Sequence, residues 1–137
     1  MAQATVTAYS RPRAYVRVSG PEAGDYLQRM VSNDVLAEPS CEAMLLTAKG
    51  RVIAPLVVWR RGDDDFLLLT EPELGETVVA HLTRMRIAAN CEIEREEHTS
   101  TIVFGAADGI PTNDYGVPAV EVLDVDAEAP PPSCAAS

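Results

Sequence analysis

The chain has 137 residues, 47% of them hydrophobic, enough for one domain with a real core. Its 21 acidic and 11 basic side chains leave a net charge of -10, which excludes phosphate neutralisation as a mode of binding, so neither nucleic acid nor a membrane surface is an expected partner. No apolar run approaches the roughly 20 residues that span a bilayer, and the start MAQATVTAYSRPR has no apolar signal segment. Three separated cysteines, Cys41, Cys91 and Cys134, imply no disulfide framework, so a reducing, cytoplasmic setting is expected.

Residues 1–13 show no apolar pattern and read as a flexible N-terminus. Residues 14–19, AYVRVS, alternate and predict a strand. Gly20-Pro21-Glu22 then opens a helix, with Pro21 in the first turn and Ser19 and Glu22 spaced as a capping box. Its apolar stripe is Ala23, Leu27, Met30 and Val31, with Tyr26 beside it, and Ser32-Asn33-Asp34 breaks it.

Glu38-Pro39-Ser40 is a loop. Residues 43–47 predict a strand, Lys49-Gly50 its turn, and residues 52–59 a central strand buried on both faces. Pro55 inside that run requires a bulge or an edge. Residues 61–65, RGDDD, are a turn before the strand 66–69, which completes an antiparallel meander. Thr70-x-x-Glu73 is spaced as a second capping box, before a helix with Leu74, Val78, Leu82 and Met85 on one stripe, ending near Ile87. Residues 91–96 and 100–104 predict two more strands. Residues 106–113 are loop-like, and residues 115–123 hold one last short strand. Residues 124–137 are acidic and then Pro/Ala/Ser-rich, the composition of a disordered tail. The expected architecture is an α+β domain over residues 14–123, one antiparallel sheet with two helices packed on one face.

The candidate chemistry is sparse. Lys49-Gly50 is an ordinary hairpin turn by composition, with Gly supplying positive φ. The same lysine at a strand end is placed to meet the carboxylate of an anionic ligand. Asp63-Asp64-Asp65 lacks the spaced glycine and distant acid of a cation loop and reads as a polar hairpin tip. His81 and His98 have no nucleophile turn to serve and read as surface or packing residues. No cysteine has a metal-ligand spacing, so no metal site is expected. Cys134-Ala135-Ala136-Ser137 has the form of a prenylation box, but its flank is acidic where a polybasic partner is usual.

Three stretches taken together, V-S-G-P-E-A-x-D-Y-L-Q (18–28), S-N-D-V (32–35) and L-T-A-K-G-R-V-I (46–53), resemble the first domain of the YgfZ/GcvT family of folate-binding aminomethyltransferases and their iron–sulfur-maintenance relatives. The resemblance covers residues 14–105. It implies a domain that forms part of the wall of a three-domain central hole holding tetrahydrofolate. Lys49, Gly50 and Arg51 would lie at the ligand-facing turn, and Asn33 and Asp34 would line the same end. In the aminomethyltransferases acids stand where this chain has Ala54 and Pro55, neither of which transfers a proton, and the folate-contacting Asn is replaced by Glu71. The K-G-R-V match places the chain nearer the YgfZ branch. That branch's functional-cysteine motif, K-G-C-x-x-G-Q-E, is not in this sequence. The resemblance thus implies a non-catalytic folate-binding-type domain with an auxiliary role in iron–sulfur protein assembly or repair, completed by a homo-oligomer or a separate chain. A protein-docking module that has lost folate is the alternative, and an aminomethyltransferase subunit the remote one.

Overall fold

The computed structural model describes residues 7–86, 89–104, 109–112 and 119–124. The tail beyond Asp124, with Cys134-Ala135-Ala136-Ser137, lies outside them. The chain divides into two compact units, Arg13–Glu97 on one side and the described parts of Met1–Pro12 and His98–Ser137 on the other.

The unit Arg13–Glu97 is built on a five-stranded antiparallel sheet. Its strands are β2 (Ala14–Ser19), β3 (Ser40–Leu46), β4 (Val52–Gly62), β5 (Asp65–Thr70) and β6 (Glu92–Glu96), in spatial order β3-β4-β5-β2-β6. The predicted meander is β3-β4-β5, and β2 fits between β5 and β6. Alternate residues supply one buried face: Val16 and Val18, Ala43 and Leu45, Ala54, Leu56 and Val58, Phe66 and Leu68. Two helices cover it. Helix α1 (Ala23–Met30) buries Ala23, Tyr26 and Leu27, and α2 (Gly75–Met85) buries Val78 and Leu82. Each large side chain fully withdrawn from water here contributes roughly 1.5–3 kcal/mol.

Neither predicted capping box forms. The Glu22 carboxylate accepts the backbone N–H of Asn90 at 3.1 Å instead of closing on α1. The Thr70 hydroxyl donates to the Pro55 carbonyl at 2.8 Å, and a 3₁₀ turn, Pro72–Leu74, leads into α2. Both side chains are drawn across the sheet by tertiary partners. The central strand also differs from expectation, because β5 joins β4 only from Val57 onward. Val52 and Pro55, paired with β3 alone, are exposed. Pro55 thus sits at the edge that its missing N–H demands. A bulge at Ile53 turns that residue onto the core and puts Val52 in register with Leu46.

A charged ladder crosses one end of the sheet. Arg61 of β4 makes a forked contact to Glu96 of β6 (2.9 and 3.1 Å) and reaches Asp65 of β5 at 3.0 Å. Arg17 of β2 bridges the same Asp65 at 3.3 Å and Glu94 at 3.2 Å. Asp65, expected in a turn, therefore opens β5 as an ion-pairing residue. Asp63 and Asp64 remain at the hairpin tip.

The second unit holds another antiparallel sheet, of β1 (Thr7–Arg11), β7 (Ser100–Phe104), β8 (Ile110–Thr112) and β9 (Ala119–Leu123), in order β1-β7-β9-β8. Three expectations are corrected here. There are two sheets where one was expected. Residues 7–11 of the flexible N-terminus form a strand, because Thr7 to Arg11 pair in full register with Phe104 to Ser100. Residues 110–112, read as loop, form β8 through their pairing with β9. At the end of β9 the Asp124 carboxylate accepts the Thr99 N–H at 3.0 Å and contacts His98 Nδ1 at 2.6 Å.

Candidate functional site

The Lys49-Gly50 turn closes on Thr47. Its carbonyl accepts the Gly50 N–H at 2.9 Å, and its hydroxyl accepts the N–H groups of Lys49 at 3.3 Å and Arg51 at 3.0 Å. Gly50 has φ +84, the left-handed conformation the turn requires, with open space around it. The turn's three N–H groups are therefore spent internally and offer no backbone cradle to an anion. What remains for a ligand are the exposed side chains of Lys49 and Arg51, neither ion-paired among the described residues.

Asn33 and Asp34 are elsewhere. Asn33 Nδ2 donates to the Glu42 carbonyl at 2.9 Å, while Ser32 exchanges bonds with Met44 through its backbone N–H and its hydroxyl (3.0 and 2.9 Å). These residues cap the outer edge of β3. Asp34 Oδ1 accepts the Leu36 N–H at 2.9 Å and shapes the turn that follows α1. Glu42 precedes Thr47 by five residues of strand, roughly 16 Å at about 3.3 Å per residue. The structure gathers Lys49, Gly50 and Arg51 in one turn. It does not bring Asn33 and Asp34 to the same end.

Ala54, Pro55 and Glu71, the positions at which the sequence departs from the aminomethyltransferase pattern, have distinct surroundings. Ala54 lies in the core at 1% exposure, and Pro55 faces outward with only its carbonyl engaged. Glu71 lies 4.0 Å from Arg13 in a weak ion pair. Burial pushes the thiol pKa values of Cys41 and Cys91 up, against thiolate chemistry; Arg86 opposes this at Cys91. Among the described residues no group of three His, Cys, Asp or Glu side chains is placed to hold a metal ion, and no helix is long and apolar enough to cross a membrane.

Two features go beyond the sequence reading, which left His81 as a surface or packing residue. His81 is buried, with no hydrogen-bond partner of ordinary geometry for Nε2 and with Arg84 Nη2 at 3.4 Å from Nδ1. Burial holds its pKa below the usual histidine value; the Leu46 backbone opposes this and Arg84 adds to it. Its position beside the Val78–Leu82 stripe was the available signal. The other is an open groove of about 330 Å³ between the loop 36–39 and the β4–β5 hairpin, lined by Leu36, Pro39, Arg60 and Asp63. No local pattern announces it, since its walls are 21 or more residues apart in sequence.

No known family model matches the chain. Its fold is that of part of an aminomethyltransferase: the crystal structure of the glycine cleavage system aminomethyltransferase T from Bartonella henselae superposes with a TM-score of 0.64 at 17% identity, over 72% of this chain and 28% of that one. In sequence, 91 residues are 26% identical to an aminomethyltransferase of Corynebacterium jeikeium (strain K411), covering 64% of this chain and 23% of that protein. The chain thus spans about a quarter of the length of these two proteins.

Proposed function

We propose that this chain is a tetrahydrofolate-binding-type domain, without catalysis of its own, that acts together with further domains. The observation that carries the reading is the likeness, in sequence and in fold, to a portion of aminomethyltransferases. Lys49 and Arg51 are the ligand-facing cations in this reading, and Gly50 holds the turn that presents them. Asn33 and Asp34 act on the ligand only indirectly, through the edge of β3 that Asn33 caps. The lack of a titratable group at Ala54 and Pro55 supports a non-catalytic role. The narrower reading, an auxiliary role in iron–sulfur protein maintenance like that of the YgfZ branch, rests on the similarity of Lys49-Gly50-Arg51-Val52 to that branch alone. A turn with two cations and no enclosing wall holds a small ligand poorly. Further domains, a second copy or a separate chain supply the enclosing wall in this reading.

Anaerobic calorimetric titration with tetrahydrofolate, on the wild-type chain and on Lys49→Ala, tests this. Micromolar binding that weakens about tenfold in the variant is expected, the loss of one charge-assisted contact. A folded sample that gives neither heat nor thermal stabilisation leaves a protein-docking domain as the better account.

A further inference from the structure

A sheet edge leaves a row of backbone N–H and C=O groups unpaired, and proteins blunt such edges with caps, charges, proline or brevity. Among the described residues the two sheets end in four edge strands, β3, β6, β1 and β8. Three carry such a device. The outer edge of β3 is capped by Ser32 and Asn33. Strand β6 reads Glu92-Ile93-Glu94-Arg95-Glu96, three acids in five residues. Strand β8 has three residues with Pro111 at the centre. Strand β1 has no proline, no bulge against β7 and one charge, Arg11, at its end. The register shows which of its groups face outward. The Asp124 N–H donates to the Thr99 carbonyl at 2.8 Å, one step beyond the Ser100–Leu123 pair. Hydrogen-bonded pairs alternate along an antiparallel ladder, so Thr101–Val122 and Val103–Val120 are of the same kind. Ser100, Ile102 and Phe104 therefore turn their backbone groups the other way, onto Arg11, Tyr9 and Thr7. That leaves the N–H and C=O of Ala8 and Ser10 pointing away from β7, and neither residue is bonded elsewhere among the described residues. Tyr9, between them, is 56% exposed, its ring edge-on to Phe104 at 5.7 Å.

We propose that β1 pairs antiparallel with β1 of a second copy, about a two-fold axis at Tyr9. In that register Ala8 of each copy faces Ser10 of the other, and both are hydrogen-bonded pairs. Four backbone bonds form, and they use every outward N–H and C=O of Ala8 and Ser10. Of the two-fold registers within β1, only this one pairs them all. Tyr9 meets Tyr9 on the axis as a non-hydrogen-bonded pair, the kind that brings Cα atoms to about 4.5 Å and side chains closest. A cross-strand aromatic pair adds to the hold. A strand whose unpaired groups are symmetric about its midpoint is complementary to itself, which is the condition of an isologous interface. Charge favours the same occupant at this edge. A chain of net charge -10 approaches its own copy against repulsion, and β1 lies in the first 21 residues, which hold no acid. The inference goes beyond the folate reading and does not rest on it.

Sedimentation velocity over a concentration series, without folate, tests it. The wild-type chain is expected to show a monomer–dimer equilibrium. Tyr9→Lys sets like charges against each other on the axis and is expected to weaken the dimer about tenfold or more. Ala8→Pro removes an N–H that faces outward, so it spares the ladder to β7 and takes two of the four bonds. It is expected to weaken the dimer by a similar factor. Circular dichroism checks that both variants stay folded. The register is read by cross-linking under mild oxidation, with the wild-type chain as control for its own cysteines. Tyr9→Cys is expected to join two copies, because a Cα separation of about 4.5 Å suits a disulfide. Ala8→Cys is expected not to, because like positions there lie beyond the reach of about 7 Å. A wild-type chain that is monomeric at its highest soluble concentration overturns the proposal. Slow exchange of the Ala8 and Ser10 N–H groups in that monomer would assign the edge to another segment of the chain itself. A dimer untouched by Tyr9→Lys and Ala8→Pro, or a cross-link at position 8 and not at 9, also overturns it.

Discussion

His81 occupies the buried side of α2 at 6% exposure, with a ring nitrogen that has no partner of ordinary geometry. A neutral imidazole tolerates this; an imidazolium would bring an unpaired charge out of water and next to Arg84. Burial therefore lowers the folded-state pKa below the ordinary value of 6.5. Between the two values the unfolded chain binds more protons, so stability rises with pH there. The contribution is fully present above about 6.5 and is lost as pH falls toward the lowered folded value. Urea unfolding at a series of pH values from neutral downward should show stability falling, and the fall should be shallower in His81→Leu. An equal slope in the variant would place the proton uptake on other groups. The sequence placed His81 beside the helical stripe and left surface and packing both open. Helical period fixes the face of a side chain to within a neighbour or so, and only the packing of α2 decides that the boundary residue goes under. Lys49-Gly50 was legible for the opposite reason. A positive-φ glycine between two strands is a local requirement, and the turn formed as read.

The two helices are joined to each other as well as to the sheet. The Tyr26 hydroxyl of α1 donates to the Leu82 carbonyl of α2 at 2.6 Å, in the buried interior. That carbonyl lies in the last turn of α2, where the helix leaves its own acceptors unpaired. Burial pushes the phenol pKa from 10.0 up to about 12, with Cys91 adding to the rise and Arg86 and Arg29 opposing it. The raised value means the folded state holds its proton longer than the unfolded one. This contribution is complete below pH 10 and is lost as pH climbs from 10 toward 12. Tyr26→Phe leaves the ring packing and strands the carbonyl, so it should cost about 1–2 kcal/mol at neutral pH. Chemical denaturation measures the loss, and a neutral result would show that another donor or water reaches the Leu82 carbonyl. At the scale of elements the sequence was informative where one periodicity held, as in β2 and both helices. It misread the helix starts, because Glu22 and Thr70 have the right spacing for capping boxes while stronger partners lie elsewhere on the sheet. The Ser32-Asn33-Asp34 break was read correctly as a turn. Its second task, capping the edge of β3, depends on partners nine and twelve residues later and leaves no local trace.

Across the whole chain, nonlocal pairing accounts for most of what the sequence concealed. Strand β1 pairs with β7, 89 to 97 residues later, so a single sheet read from consecutive strands had no means of splitting in two. The charge distribution has a consequence on the same scale. With a net charge of -10, acidic side chains repel one another through the folded state over distances set by the salt. The ladder of Arg17, Arg61, Asp65, Glu94 and Glu96 works at contacts near 3 Å and is partly shielded from solvent. Raising ionic strength from 0.01 to 0.15 M shortens the screening length from about 30 Å to about 8 Å. That change removes most of the long-range repulsion and leaves the contact pairs largely intact. The melting temperature should therefore rise with sodium chloride over this range and level off beyond it. In Arg61→Ala the rise should be larger, because two carboxylates lose a neutralising partner and join the repulsive excess. Scanning fluorimetry across a salt series decides the matter. A melting temperature that falls with salt would mean that the ion pairs, rather than the surplus of acid, dominate the electrostatics of this fold.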